Sequence, residues 1–219
     1  MTHHEFTRIS FVRHGQVYNP EKVVYGRLPG FGLSDLGRQQ AQAAASVLRD
    51  SPLAVVISSP LLRAQETAQI LLSPHSDTPL RSEEAINEVA FYFEGWPLQK
   101  MAARDWNLYS DVPAEYEQPP DVIARARTFL AQVRREYTGQ HSVLVSHGDV
   151  LAFTILWAHN VPIVPENKHT LNQLGFSDDY PAPASITTFI YKPEDGEKPS
   201  AVEYLRPYGD ALADTISPK

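Results

Sequence analysis

Short apolar runs alternate with longer amphipathic stretches along this chain, and several of the apolar runs end abruptly in polar residues. Runs typical of buried strands occupy residues 8–13, 54–57 and 142–146, and two further β-rich runs occupy 185–192 and 201–206. Stretches with a helical pattern occupy residues 34–49, 59–72, 121–137 and 149–159. Alternating strands and helices predict an α/β fold, a three-layer αβα sandwich whose mostly parallel sheet carries helices on both faces.

Capping residues predict where two of these helices begin. Ser34 is a candidate N-cap, and Asp35 in the first turn places a negative charge where the helix dipole favours it. Ser59 is a candidate N-cap for the next helix, with Pro60 at its first position. This start would place Arg63 in the first turn, beside the carboxyl end of the preceding strand.

The composition describes an acidic globular chain. Its 219 residues suit one domain spanning 1–219, and 42% of them are hydrophobic, enough for a full core. The net charge of −7 argues against nucleic acid or an anionic membrane as the main partner. The chain has no cysteine, which rules out disulfides and thiol nucleophiles, and no apolar run approaches membrane-spanning length. We therefore expect a cytoplasmic location, and the oligomeric state stays open.

Polar side chains collect where the predicted strands end. Arg13 and His14 follow the first strand, Arg63 follows the second, and His147 follows the strand at 142–146. Because ligands bind at the carboxyl ends of strands in open α/β sheets, we expect these residues to form one site. Guanidinium groups match phosphate oxygens, and an imidazole with a pKa of about 6.5 is a competent nucleophile at neutral pH. Such a site would also need a carboxylic acid to protonate a leaving alkoxide.

Four motifs in a fixed order indicate a resemblance to a known family. The motifs are Arg13-His14-Gly15 at a strand end, Ser58-Ser59-Pro60 leading to Arg63, a glutamate in the middle loop, and Ser146-His147-Gly148. Together they resemble the histidine phosphatase superfamily, the phosphoglycerate mutase-like proteins, over roughly residues 8–155. A helix start at Leu33-Ser34-Asp35-Leu36-Gly37 is also similar to that of the family.

The resemblance implies a role for each residue of the strand-end motifs. His14 would be the nucleophile that becomes phosphorylated. The groups that hold the phosphoryl oxygens would be the side chains of Arg13, Arg63 and His147 and the nearby backbone of Gly148.

The resemblance also implies a general acid and base in the middle loop, and two carboxylates compete for that role. Glu88 matches the loop acid of the family, three positions before an aromatic residue. Glu94 lies in a stretch similar to the family's Trp-Glu-Gly with one position missing, so it is the alternative acid. Asn19 resembles a phosphate-contacting asparagine of the family, although it arrives one residue early, and we expect it in the pocket.

The stretch after Glu88 bears on the subgroup. The mutases of the family carry basic residues there and in a longer middle insertion, whereas residues 89–93 of this chain contain none. The acid phosphatase and phytase branch has an early loop arginine and a late His-Asp pair, where this chain has Val17 and His147-Gly148. The resemblance therefore implies hydrolysis of a phosphomonoester. Phosphoglycerate mutase-type transfer and a catalytically inactive phospho-ligand binding module are the alternatives.

The sequence predicts no metal site and no cofactor. The remaining histidines lack metal-ligand spacing, and the Asp-x-His and Gly-Asp-x-x-Asp patterns of metallophosphatases do not occur. We expect a small phosphorylated substrate as the partner. Its identity is not encoded in any motif, and the irregular segments at 16–33, 89–120 and 160–183 are expected to determine it.

Overall fold

A computed structural model describes residues 6–213, and these residues contain a six-stranded sheet. The strands are β1 (Thr7–Arg13), β2 (Leu53–Ser58), β3 (Leu80–Ser82), β4 (His141–Ser146), β5 (Ile186–Tyr191) and β6 (Ala201–Leu205). Their order across the sheet is β3-β2-β4-β1-β5-β6. The first four of these run parallel, β5 pairs antiparallel with β1, and β6 pairs antiparallel with β5 at the sheet edge. The predicted mostly parallel sheet is confirmed.

Helices connect the strands. They are α1 (Asp35–Leu48), α2 (Leu62–Leu72), α3 (Leu98–Ala102), α4 (Pro119–Glu136) and α5 (Gly148–Ala158). Short 3₁₀ turns occupy Glu84–Ile86, Pro165–His169, Leu171–Leu174 and Asp210–Leu212. No helix within residues 6–213 is both long and apolar enough to cross a membrane.

Alternate residues of the central strands point to opposite faces of the sheet. Ile9 and Phe11 of β1 belong to one buried cluster with the apolar faces of α4 and α5. Val12 of β1, with Val143 and Val145 of β4, belongs to a second cluster with the small alanine faces of α1 and α2. Helices therefore cover both faces, as the αβα prediction requires.

The start of α2 differs from the prediction. The helix begins at Leu62 with Leu61 at the N-cap, rather than at Pro60 after a Ser59 cap. The Ser59 hydroxyl is 2.7 Å from Nε2 of His147 and donates to Asn87 at 3.2 Å, which leaves only a 3.4 Å contact to the Leu61 amide. A serine with cap-like spacing is thus used to hold a histidine instead. Arg63 still lies in the first turn, as predicted.

The segment at 74–120 is largely irregular, as predicted, but it contains β3 and α3. All three residues of β3 are exposed, so the strand leaves no apolar signal in the sequence. The two final strands are confirmed at Ile186–Tyr191 and Ala201–Leu205.

The cap of α1 gives a testable consequence. The Ser34 hydroxyl oxygen accepts from the Gly37 amide at 3.0 Å and donates to Gln16 at 2.6 Å. Ser34→Ala should therefore lower the free energy of unfolding by about 0.5–2 kcal/mol. Equilibrium urea unfolding followed by circular dichroism measures this change. Ser46→Ala, on the exposed surface of the same helix, is the matched control and should change the free energy of unfolding by less than about 0.5 kcal/mol. Equal losses of stability in the two variants would contradict a capping role for Ser34.

Candidate active site

The ends of β1 and β4 bring two histidines together. Arg13 pairs with Ser146 in the parallel register, so His14 and His147 emerge side by side. The His14 amide donates to the Ser146 carbonyl at 3.0 Å, and the two imidazole centroids are 5.2 Å apart. Both side chains are buried, with 2% and 0% of their surface exposed.

Arg63 joins these histidines from the first turn of α2. Its Nε lies 3.2 Å from Nε2 of His14, and an Nη nitrogen lies 3.2 Å from Nδ1 of His147. The same Nη nitrogen donates to the Gly26 carbonyl at 2.8 Å, and the Tyr25 ring centroid lies 4.8 Å from the guanidinium carbon. The guanidinium is 1% exposed, so its position is fixed from several sides.

Glu88 completes the cluster from the loop after the first 3₁₀ turn. Its Oε2 lies 3.7 Å from a guanidinium nitrogen of Arg63 and 3.6 Å from Nδ1 of His147. Its Oε1 accepts from the Val89 amide at 2.9 Å. The carboxyl group therefore lies beside Arg63 and His147, the expected phosphoryl-binding groups, and within 4.8 Å of a ring nitrogen of His14.

The hydrogen bonds of His14 define its reactive atom. Nδ1 lies 2.8 Å from the Gly15 carbonyl, which can only accept, so Nδ1 carries the proton and Nε2 presents its lone pair to Arg63. Burial lowers the pKa of His14 well below its ordinary value, and the charges of Arg63 and Arg13 lower it further. The imidazole is therefore neutral at physiological pH, the state a nucleophile requires.

Two glycines allow the loop after His14 to pack tightly against the start of α1. A Cβ on Gly15 would lie 2.3 Å from the Gly37 carbonyl oxygen, and a Cβ on Gly37 would lie 2.0 Å from that of Gln16. The Gly15 amide also donates to Thr67 of α2 at 3.1 Å. Close packing on both sides holds the backbone beside the His14 ring.

Burial acts on Glu88 in the opposite sense. It raises the pKa of the Glu88 carboxyl above its usual value, and the Arg63 charge only partly offsets the rise. The carboxyl thus retains a proton to higher pH than an exposed glutamate would. This property suits a proton donor.

Arg13 and the first turn of α5 add further anion-binding groups. Arg13 donates to the Pro181 carbonyl at 2.6 Å and lies beside the Tyr180 ring, while its buried Nε has no partner among residues 6–213. Gly148 begins α5, whose 11 residues direct a helix N-terminus toward the histidines. A Cβ at Gly148 would lie 2.2 Å from the Tyr180 hydroxyl, so the close approach requires glycine.

A family model, the histidine phosphatase superfamily (branch 1), matches residues 9–184. This chain belongs to that superfamily. A glucosyl-3-phosphoglycerate phosphatase of Mycolicibacterium vanbaalenii is 40% identical over 165 residues, covering 66% of this chain and 71% of the relative. An uncharacterized protein of Mycobacterium tuberculosis is 39% identical over 150 residues, which cover 65% of this chain and 74% of that protein. The structure of a mycobacterial glucosyl-3-phosphoglycerate phosphatase superposes with a TM-score of 0.69 at 25% sequence identity. The superposition covers 91% of this chain and 96% of that one.

Five of the residues predicted from the histidine phosphatase resemblance lie together. They are Arg13, His14, Arg63, Glu88 and His147. Glu94, the alternative acid, accepts instead from the Arg27 amide at 2.6 Å. Asn19 exchanges hydrogen bonds with the Val23 backbone at 2.8 and 3.2 Å, which shapes the loop. Its contact with phosphate stays a prediction.

The cluster also has the spacing of a metal site. The ligand atoms of His14, Glu88 and His147 lie within 4.8 Å of one another. Arg63 places a permanent positive charge against both imidazoles, which disfavours a divalent cation and favours an anion. The donor set therefore fits a phosphoryl group better than a metal, and metal independence remains a prediction.

Asp149 carries a role that sequence reasoning missed. Its position in the first turn of α5 suggests a helix-dipole residue, but it is 2% exposed and accepts from Lys168 at 3.0 Å, Tyr109 at 2.5 Å and Tyr180 at 2.6 Å. Burial would raise the Asp149 pKa, but the Lys168 ammonium and the tyrosine hydroxyls lower it. One charged carboxylate thus ties two irregular segments to the site helix. Its partners lie 19 to 40 residues away, so no local pattern announces them.

Asp149→Asn should reduce the free energy of unfolding by about 3–5 kcal/mol, because Lys168 would be left as an uncompensated buried charge. Equilibrium denaturation measures the loss. In a double-mutant cycle, Lys168→Met should recover much of it in the Asp149→Asn background. Additive losses would contradict a direct ion pair.

Proposed function

We propose that this protein is a metal-independent phosphatase that hydrolyses a phosphomonoester through a phosphohistidine on His14. One observation carries the proposal: the lone pair of His14 Nε2 faces a buried guanidinium, with the Glu88 carboxyl in the same cluster. A binding module needs the cation but not both a neutral nucleophile and an acid of raised pKa. A small phosphorylated substrate and a cytoplasmic location belong to the same proposal.

In the first step, His14 Nε2 attacks phosphorus and the ester P–O bond breaks. Arg13, Arg63 and His147 hold the oxygens of the transferring group, and the two arginines neutralise its charge. The Glu88 carboxyl gives its proton to the departing alkoxide, so the alcohol leaves neutral and Glu88 becomes a carboxylate.

In the second step, water attacks the phosphorus of phosphohistidine and the P–N bond breaks. The Glu88 carboxylate accepts a proton from this water, which regenerates its acid form. His14 recovers its lone pair at Nε2 and orthophosphate departs. Each group therefore returns to its starting protonation state.

Hydrolysis is favoured over mutase transfer by the residues that follow Glu88. Val89, Phe91 and Phe93 are buried apolar side chains, and no cation lies in residues 89–93 to retain a second phosphate. Relatives named as glucosyl-3-phosphoglycerate phosphatases also support hydrolysis over mutase transfer. Glucosyl-3-phosphoglycerate is therefore the first substrate to include in a phosphomonoester panel.

His14→Ala should lower turnover by at least about 10³-fold, because the covalent route is lost. Wild-type reactions quenched during turnover should contain an acid-labile phosphoenzyme that the variant lacks. His75→Ala, outside the cluster, serves as the control with wild-type rates. An active His14→Ala enzyme would refute the nucleophile assignment.

Glu88→Gln should slow the cleavage of alkyl phosphates by about 10²–10⁴-fold and 4-nitrophenyl phosphate much less, because nitrophenolate leaves without a proton. An acid works only while protonated, so phosphorylation by alkyl substrates should decline as pH rises through the raised Glu88 pKa. Rapid-quench rates measured against pH should show this alkaline decline in wild type and not in Glu88→Gln. Equal losses on both substrate types would move the acid elsewhere, first to Glu94.

The two alternative functions have their own assays. Robust interconversion of 3-phosphoglycerate, stimulated by bisphosphoglycerate, would favour a mutase over a phosphatase. Binding of phosphate without turnover across the whole panel would favour an inactive module. Hydrolysis that persists in the presence of a chelator would support metal independence.

A further inference from the structure

We propose that Glu117, Arg27 and Arg125 form a clamp that positions the general acid by holding the main chain of Glu88. We call these three residues the Glu117 clamp. The inference rests on the proposed function, since it concerns how the acid is placed. None of the three residues belongs to the motifs that carry the family resemblance.

Both arginines of the clamp reach the same carbonyl oxygen. Arg27 Nε donates to the Glu88 carbonyl at 2.7 Å, and an Nη nitrogen of Arg125 lies 3.4 Å from it. The other Nη of Arg125 donates to the Ala85 carbonyl at 2.8 Å. The 3₁₀ turn and the residue two positions after it are thereby tied to α4 and to the 16–33 loop.

Glu117 holds the two arginines in place. Its carboxylate accepts from Arg27 at 2.8 Å, from Arg125 at 2.7 and 3.3 Å, and from the Ala90 amide at 2.9 Å. Its side chain is 21% exposed, and although burial would raise the Glu117 pKa, the hydrogen bonds and charge of Arg125 lower it. Glu117 therefore stays ionised and bridges two cations that would otherwise repel each other.

Glu88 depends on this support because its carboxyl group has few anchors of its own. Its Oε2 lies 3.6 Å and 3.7 Å from His147 and Arg63, beyond ordinary hydrogen-bond distance, and among the described residues Oε1 bonds only to the adjacent Val89 amide. The position of the carboxyl is thus set by the backbone. On the amide side, Asn87 Oδ1 accepts from the Glu88 N–H at 2.8 Å, and the clamp fixes the carbonyl side.

Displacement of a proton donor by about 1 Å can cost about 10²-fold in rate. Loss of the Glu117 charge removes the bridge between the arginines and frees the segment at 87–90. Proton transfer to the leaving group should therefore become slower. The phosphate site should stay intact, because Arg13, His14 and Arg63 are held by other contacts. Glu117 is therefore a positioning residue for the acid.

The test compares Glu117→Gln with Glu115→Gln, which removes the same charge from an exposed glutamate two residues away. For β-glycerophosphate, we expect the rapid-quench rate constant for phosphorylation of Glu117→Gln to fall about 10- to 100-fold, with the substrate dissociation constant within about threefold of wild type. For 4-nitrophenyl phosphate, the rate constant for phosphorylation should fall less than about threefold. Glu115→Gln should match wild type on both substrates.

A double-mutant cycle with Glu88→Gln separates positioning from general damage. If Glu117 acts through the acid, Glu117→Gln should have little further effect once Glu88→Gln has removed the proton. Equal losses in the phosphorylation rate on both substrates, or a full loss of that rate in the Glu88→Gln background, would overturn the inference. Arg27→Lys, which keeps the charge but cannot reach two acceptors in a fixed plane, should reproduce the leaving-group selectivity even if Glu117→Gln folds poorly.

Failure of the clamp and failure of the proposed function give different results. If Glu88→Gln alone lowers the phosphorylation rate on both substrates equally, the acid assignment is wrong. Glu88→Gln can instead slow phosphorylation mainly for poor leaving groups while Glu117→Gln and Arg27→Lys show no such preference. In that case only the clamp is wrong.

Discussion

The buried guanidinium of Arg63 is the interaction on which the rest of the site depends. A fully buried cation is costly unless its donors are satisfied, and here the Gly26 carbonyl, two imidazole nitrogens and the Tyr25 ring surround it. These contacts require both histidines to be neutral, and burial lowers the pKa of each, with the Arg63 charge lowering it further. The cation that would bind a phosphoryl group therefore also favours the neutral form of His14, the proposed nucleophile.

The pKa values of two buried carboxylates, those of Glu88 and Asp149, shift in opposite directions. Glu88 receives one amide hydrogen bond, and no counter-ion from residues 6–213 lies within ordinary hydrogen-bond distance of it, so burial raises its pKa. Asp149 receives an ammonium and two hydroxyls, which lower its pKa despite equal burial. Two titratable groups whose environments shift their pKa values in opposite directions can serve different roles in one site. Glu88 is placed to exchange a proton, whereas Asp149 remains charged and fixes the surrounding segments.

The sequence predicts much of the fold and the centre of the site for a physical reason. Strand runs and helix patterns are local, and parallel strands must present their carboxyl ends at one edge, so the local pattern alone is enough to place His14 and His147 together. Ser59 has the spacing of a helix cap, but a long-range hydrogen bond to His147 determines its use. Lys168 and Glu117 leave no sequence signal for the same reason, since their partners come from distant segments.

The division between strand ends and irregular loops also explains why chemistry and substrate choice can be separated. The proposed nucleophile and phosphate-binding arginines lie at the end of β1 and on α2, elements packed into the core, and carbonyls of Gly26 and Pro181 in the irregular segments hold the two guanidinium groups from the other side. The acid sits on a loop whose backbone is held by ion pairs reaching from residues 27, 117 and 125. Since ion pairs at partly exposed positions can be exchanged without rebuilding a core, the loop can be reshaped for a different alcohol. The proposed phosphoryl site therefore rests mainly on core elements, whereas the proposed proton donor rests on ion pairs between loops.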